Sequence, residues 1–468
     1  MTKVVIIGGG PGGYEAALVG SRLGGEVTLV ERSGIGGAAV LTDCVPSKTL
    51  IATAEVMSTM RGAGELGLRF AENQDLESAI DVDLRQLNAR VKDLARAQSE
   101  DISTTLQQEN VRLVTGTARI VNDELVLADT AAGQLELEAE VVLIATGTTP
   151  RELPGAPSDG KRILNWKQLY ELDELPERLI VVGSGVTGAE FASAYDQLGV
   201  DVVLVSSRTK VLPGEDQDAA RILQRAFERQ GMEVLSQARA ASAHVEGQEV
   251  VVTLTDGRTV RGSHCLMAVG AIPNSAGLGL EEVGVATTES GHITVDRVSR
   301  TSRRSIYAAG DVTGVFALAS VAAMQGRIAM GHALGDAVSP LDLRKVSSNV
   351  FTAPEIATVG VTQAQVDQGE VRATSVLMAL GSNARAKMQG FSDGFVKLFC
   401  LPTTGIIVGG VVVAPYASEL IHAVSVAVAH RLDADQFGES FTVYPSMSGS
   451  SAEAARRLHQ TNPDFLTS

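Results

Sequence analysis

A strand, a glycine turn, a helix and a second strand occur twice in this chain, and no other feature limits its fold as much. The first copy, KVVIIGGGPGGYEAALVGSRLGGEVTLVER, sets Gly8, Gly10 and Gly13 in G-x-G-x-x-G and closes on Glu31 and Arg32. The second, RLIVVGSGVTGAEFASAYDQLGVDVVLVSSRTK, repeats the pattern with Gly183, Gly185 and Gly188. In such a turn the first two glycines permit the bend and the approach of a pyrophosphate to a helix N-terminus. The third lets helix lie close against sheet. A carboxylate at the end of the second strand accepts from a ribose hydroxyl. The two copies therefore predict an α/β chain with two Rossmann-like dinucleotide-binding domains.

The second copy departs from the first at one place. Ser206 stands where the first has Glu31, and Ser207, Arg208, Thr209 and Lys210 follow. With no carboxylate to repel it and a guanidinium and an ammonium nearby, a ribose 2′-phosphate would be well received. A merely solvated basic turn is the other reading. NADPH is expected here, with NADH possible. Two more strand-like runs end in small-residue turns: VVLIATGTTP, with Thr146 and Gly147, and SIYAAGDVTG, with Gly310 and Asp311. Glycine admits a close backbone approach, and a carboxylate such as Asp311 binds a ribityl or ribose hydroxyl, so these segments support a flavin in the first site.

At 468 residues the chain is too long for one hydrophobic core. A formal net charge of −16 would repel nucleic acid and anionic membranes, so neither is expected as a partner. The opening MTKVVIIGGG reads as a strand-length run, and no signal segment is expected. The longest apolar stretch, residues 406–415, is too short and glycine-broken to insert in a bilayer, and a cytoplasmic location is expected. Cys44, Cys265 and Cys400 lack the spacing of a zinc site or a disulfide framework, and no metal is expected. Cys265 and Cys400 sit in strand-like apolar runs and read as buried small hydrophobes. Cys44, just before a helix expected to start near Pro46, is different, because a helix N-terminus favours a thiolate.

The expected organisation is a flavin-binding domain over residues 1–150 and 271–340, interrupted by a nicotinamide-binding domain over 151–270. An α+β interface domain follows over 346–468, with strands at GFVKLFC and GIIVGGVVVA and a helix over 417–432. Residues 83–109 read as a long amphipathic helix on the outside of the first domain. Residues 336–345 read as a polar connector.

These motifs, with AVGAIPN at 268–274, YAAGD at 307–311 and FTAPEIATVG at 351–360, resemble the flavoprotein disulfide reductases, the family of lipoamide dehydrogenase, glutathione reductase and mercuric reductase. The resemblance runs from Lys3 to the last thirty residues. It implies FAD on the first unit, NAD(P)H on the second, and a homodimer in which each subunit completes the other's active site. Gly8, Gly10, Gly12, Gly13, Glu31, Gly37, Lys48, Ala118, Thr146, Gly147 and Asp311 would contact FAD. Ala317, Leu318, Ala319 and Ser320, at a helix start, would face the flavin pyrimidine edge. Gly183, Gly185, Glu190, Ser206, Arg208 and Gly270 would line the nicotinamide cofactor. Glu190 would approach Lys48 beside the reactive flavin nitrogen, either as a structural ion pair or to tune the flavin.

Two departures stand out. The family carries G-G-T-C-x-x-x-x-C-x-P-S-K, a redox disulfide over the flavin, but here Ala38 and Ala39 replace the threonine and the first cysteine while Cys44 stays. The lost thiol is the one that exchanges with a substrate disulfide. Near the C-terminus the family's H-P-T-x-S-E becomes YPSMSG, so Tyr444 stands for the histidine base and Gly449 for the glutamate that orients it. Tyrosine is a poor base at neutral pH. Thiol, base and orienter are lost together, which removes disulfide reduction and leaves the route from nicotinamide to flavin. The expected activity is an NAD(P)H:quinone oxidoreductase, with a transhydrogenase or a single-cysteine NAD(P)H oxidase or peroxidase as alternatives. Cys44 would tune the flavin, cycle through a sulfenic acid, or form a mixed disulfide. Tyr444 would donate to a quinone oxygen or serve as a packing aromatic.

Overall fold

The run KVVII forms the strand Lys3–Ile7 at the centre of a parallel sheet ordered Ile306–Ala308, Val141–Ile144, Lys3–Ile7, Glu26–Glu31, Arg112–Thr115. This computed structural model describes residues 1–68 and 80–461. The inner strands are apolar without alternation because both faces are covered, and Val4 to Ile7 and Val141 to Ile144 are all buried. One face carries the helix Pro11–Arg22 packed on the helix Ala319–Ala333. A Cβ on Gly326 would lie 2.1 Å from Gly12 O, so only glycine permits that approach. Strand order reverses between Lys3–Ile7 and Val141–Ile144, and in open α/β sheets ligands bind in the crevice at that point.

A second parallel sheet repeats the plan in the order Glu233–Leu235, Asp201–Val205, Arg178–Val182, His264–Met267, Ile163–Leu164. The chain enters this unit after Thr148–Pro150 and leaves it through Ala271–Pro273, and these two segments pair antiparallel as a ribbon. The C-terminal unit is an antiparallel sheet in the order Ser347–Val350, Glu355–Gly360, Ile407–Ala414, Phe395–Cys400, Thr374–Ala379, covered by the helices Ala417–His430 and Gly449–Thr461.

The long helix runs Leu84–Gln108, its start capped by Asp83 Oδ1 accepting from Gln86 N at 2.9 Å. It is less peripheral than its charge suggests. Leu84, Leu87 and Val91 share a core with Trp166, Tyr170 and Tyr195, and Asn88 Nδ2 donates to Leu172 O at 2.8 Å. The helix therefore braces the first nucleotide unit against the second. No helix among the described residues is long and apolar enough to cross a membrane.

Candidate active site

Both glycine turns have the same construction. Gly8 has φ +106°, and a Cβ there would meet Ala145 O at 2.3 Å; Gly183 has φ +116°, and a Cβ would meet Ala268 O at 2.1 Å. Gly13 and Gly188 lie so close beneath these turns that a Cβ would fall 1.9 and 1.8 Å from Gly8 O and Gly183 O. Gly10 and Gly185, by contrast, face open space with no atom within 4 Å of a Cβ. Each of these two is the N-cap of its helix and supplies no side chain to the orphan N–H groups. An open cradle beside unsatisfied helix N–H groups fits a pyrophosphate.

Around the first turn, Gly37 comes so near Gly10 that a Cβ would lie 2.8 Å from Gly10 Cα. Glu31 Oε2 accepts from Gly9 N and Oε1 from Ser33 N, both at 2.6 Å, which fixes the carboxylate at the strand end, while Arg32 is exposed. Gly116 N donates to Glu31 O at 3.0 Å, and Ala118 is buried two residues further on. Burial pushes the Asp311 carboxyl up, and Thr148 Oγ1, donating at 3.4 Å, partly offsets this. Ala317 and Leu318 lead into the helix Ala319–Ala333, whose first turn holds Ser320 and has no side-chain cap. The donor set and the space match a flavin dinucleotide. Asn274 has no role assigned from its motif, yet it locks this wall. Its Nδ2 donates to Thr146 O at 2.9 Å, its carbonyl accepts from Thr146 Oγ1 at 2.8 Å, and Oδ1 accepts from Thr149 Oγ1 at 2.7 Å. Gly147 O accepts from Asn274 N at 3.0 Å.

The helix Cys44–Arg61 starts two residues earlier than expected, so Cys44 is its first residue and Lys48, four further on, shares its face. Lys48 Nζ donates to Glu190 Oε2 at 2.8 Å and sits 4.8 Å from the Phe351 ring centroid. Phe351 N donates to Glu190 Oε1 at 2.9 Å, so the carboxylate is held from two sides. Burial works to lower the Lys48 pKa, but the charge and hydrogen bond of Glu190 outweigh it and hold it above that of free lysine.

The thiolate expectation fails. Burial, and then the Asp43 carboxylate, push the Cys44 thiol up to about 11 against a smaller opposing effect of Lys48. Asp43 occupies the N-cap of this helix without a capping hydrogen bond, and burial raises its own pKa. Nothing in the bare sequence marks Asp43, because its burial arises only in the folded chain. All three cysteines are free, and Cys265 and Cys400 are fully buried.

At the second turn Ser206 is fully buried, its Oγ 2.7 Å from Ser184 Oγ, and it accepts from Arg208 N at 3.1 Å. Ser206 thus shapes the turn from inside, while Arg208 is exposed and Lys210 half-buried. Gly270, φ +93°, lies open at the ribbon, its carbonyl accepting from Arg151 N at 2.9 Å. Tyr444 lies apart, 86% exposed on the C-terminal unit between exposed Val443 and Pro445, five residues before the helix that begins at Gly449.

Two nucleotide cradles meeting at one lysine–glutamate pair, its carboxylate buried, define a two-dinucleotide oxidoreductase. The chain belongs to the pyridine nucleotide-disulphide oxidoreductase family, whose profile matches residues 2–326, and the profile of that family's dimerisation domain matches residues 346–455. It is 53% identical over 468 residues to an NAD(P)H dehydrogenase (quinone) of Mycobacterium tuberculosis strain H37Rv, covering 98% of this chain and 94% of that one. It is 31% identical over 467 residues to a dihydrolipoyl dehydrogenase of Zymomonas mobilis, covering 97% and 98%. The crystal structure of LpdA from Mycobacterium tuberculosis superposes with a TM-score of 0.93 at 52% identity, over 98% of this chain and 100% of that one.

Proposed function

We propose that the chain is a homodimeric, FAD-dependent NAD(P)H:quinone oxidoreductase that favours NADPH and lacks disulfide reductase activity. The observation that carries this is the pairing of an intact Lys48–Glu190 bridge with Ala39 where Cys44 would need a partner thiol. The kinship to a quinone-reducing dehydrogenase supports the same acceptor.

Bound FAD would supply the redox chemistry, accepting hydride from the nicotinamide nucleotide and handing electrons to the quinone. The chain's own residues do the rest. Gly10 and Gly37 leave room for a pyrophosphate, Glu31 and Asp311 accept from sugar hydroxyls, and the uncapped helix start at Ala319 offers N–H groups to an anionic ring edge. Lys48 stays an ammonium at neutral pH because Glu190 neutralises it, and it presents fixed positive charge where negative charge gathers. Cys44 stays a thiol and fills space without attacking. Gly185 and Gly188 seat the second nucleotide, and Arg208 and Lys210 meet its 2′-phosphate. Tyr444, exposed on one subunit, would reach a site only across the dimer interface, where its hydroxyl can donate to a quinone oxygen.

The test is NADPH and NADH oxidation with a soluble quinone, lipoamide and oxidised glutathione side by side. Quinone turnover should exceed both disulfides by orders of magnitude; a disulfide turned over faster than quinone overturns the proposal.

A further inference from the structure

We propose that Lys397, in the antiparallel sheet of the C-terminal unit, is a positioning residue for nucleotide choice: through Asp216 and Asp218 it fixes the far end of the 206–216 loop and so holds Arg208 and Lys210 in place for a ribose 2′-phosphate. The inference rests on the reading of the second site as one that prefers NADPH.

The loop leaves the strand Asp201–Val205 and ends at Asp216, the N-cap of the helix Gln217–Gln230. Its near end is pinned within its own unit. Ser206 Oγ lies against Ser184 Oγ, Gln237 N donates to Arg208 O at 2.8 Å, and Leu212 N, at φ +52°, donates to Ser184 O at 2.8 Å. Its far end is pinned from another unit. Lys397 Nζ donates to Asp216 Oδ2 at 2.8 Å and to Asp218 Oδ2 at 2.7 Å. Asp216 Oδ1 meanwhile accepts from Asp218 N at 2.9 Å and Ala219 N at 3.3 Å, so one carboxylate caps the helix and binds the lysine at once.

The side chains of Lys397 and Asp216 are only 4% and 3% exposed, which takes this bridge out of the class of screened surface pairs. The lysine is itself on a stiff support. Its strand Phe395–Cys400 lies inside the sheet, with Leu377 and Val411 opposite it on the two neighbouring strands. Gln217, between the two aspartates, accepts from Lys210 Nζ at 3.3 Å. Lys210 is therefore oriented by a residue whose neighbours on both sides are held by Lys397, and Arg208 stands two residues before it in the same turn.

A bridge that only joined the units would affect every nucleotide alike. A bridge that positions the turn affects only nucleotides with a 2′-phosphate, and this difference sets the experiment. FAD-loaded wild type, Lys397→Met, Asp218→Asn and Arg208→Ala proteins are titrated calorimetrically with adenosine 2′,5′-bisphosphate and with adenosine 5′-monophosphate, and KM and kcat are measured for NADPH and NADH. Wild type should prefer the bisphosphate and Arg208→Ala should lose that preference. Lys397→Met and Asp218→Asn should each lower it by roughly 5-fold, as expected when a residue one contact away loosens a binding loop. Their monophosphate affinity and kcat with NADH should stay near wild type. If Lys397→Met does not fold, Asp218→Asn, which keeps the Asp216 cap, decides alone. An unchanged preference, or an equal loss for both fragments, overturns the positioning role. A wild type with no preference overturns the NADPH reading itself.

Discussion

Lys48 Nζ lies 2.8 Å from Glu190 Oε2 although the two residues are 142 positions apart and stand on helices of different nucleotide units. The bond closes the first cradle against the second, and the Glu190 side chain is only 5% exposed. Glu190→Gln should slow flavin reduction by NADPH in anaerobic stopped-flow by about tenfold or more, through loss of a fixed charge pair at the reacting centre. Chemical unfolding should show a loss of roughly 2–3 kcal/mol, below the full cost of orphaning a buried charge because Lys48 keeps 31% of its side-chain surface.

The same pair sets an alkaline limit. The folded pKa of Lys48 lies above the value of about 10.4 for an unfolded lysine, so its contribution is complete below that pH and is lost as pH rises through the folded value. Wild-type stability should fall above about pH 10 more steeply than that of Glu190→Gln. Parallel slopes for the two proteins would contradict the assignment.

With its thiol pushed up to about 11, Cys44 should react slowly with iodoacetamide at pH 8, as read by mass spectrometry. Asp43→Asn removes a negative charge beside it and should shift the alkylation profile to lower pH. Cys44→Ser should keep most quinone turnover. Loss of that turnover would make the thiol a redox participant.

The glycines of the first turn separate folding from binding. Gly8→Ala would place a Cβ 2.3 Å from Ala145 O at φ +106°, and the apoprotein should lose roughly 3 kcal/mol of stability. Gly10→Ala meets nothing within 4 Å at φ −70°, so the apoprotein should keep its stability. Its FAD affinity should fall by about tenfold or more, since the methyl occupies the pyrophosphate cradle.

Phe441, Val443 and Tyr444 form an exposed apolar run on the C-terminal unit. Phe441→Asp should shift the protein toward monomer in sedimentation velocity and reduce quinone turnover with it. A monomer with full turnover would show that each chain works alone.

The two nucleotide units could be read from the sequence because each glycine there answers a local demand: a positive φ at Gly8 and Gly183, a close carbonyl at Gly13 and Gly188. The missing thiol at Ala39 was equally local. What could not be read depends on partners far along the chain. Buried Ser206 finds its partner at Ser184, the Cys44 thiol is raised first by its own burial, and the bracing role of Leu84–Gln108 comes from the core at Trp166. Asn274 closes the motif AVGAIPN without a role that the motif reveals, and the pairing of Thr148–Pro150 with Ala271–Pro273 brings it to Thr146 and Thr149.

That ribbon has a mechanical consequence. A body tethered by one strand can swivel in any direction, whereas one tethered by two strands bonded side by side bends chiefly about an axis in the plane of the pair. Asn274 rivets the base of the joint. Any swing of the second cradle about that joint must release Lys48–Glu190 and Lys397–Asp216 and also part the core that the helix Leu84–Gln108 shares with Trp166 and Tyr170.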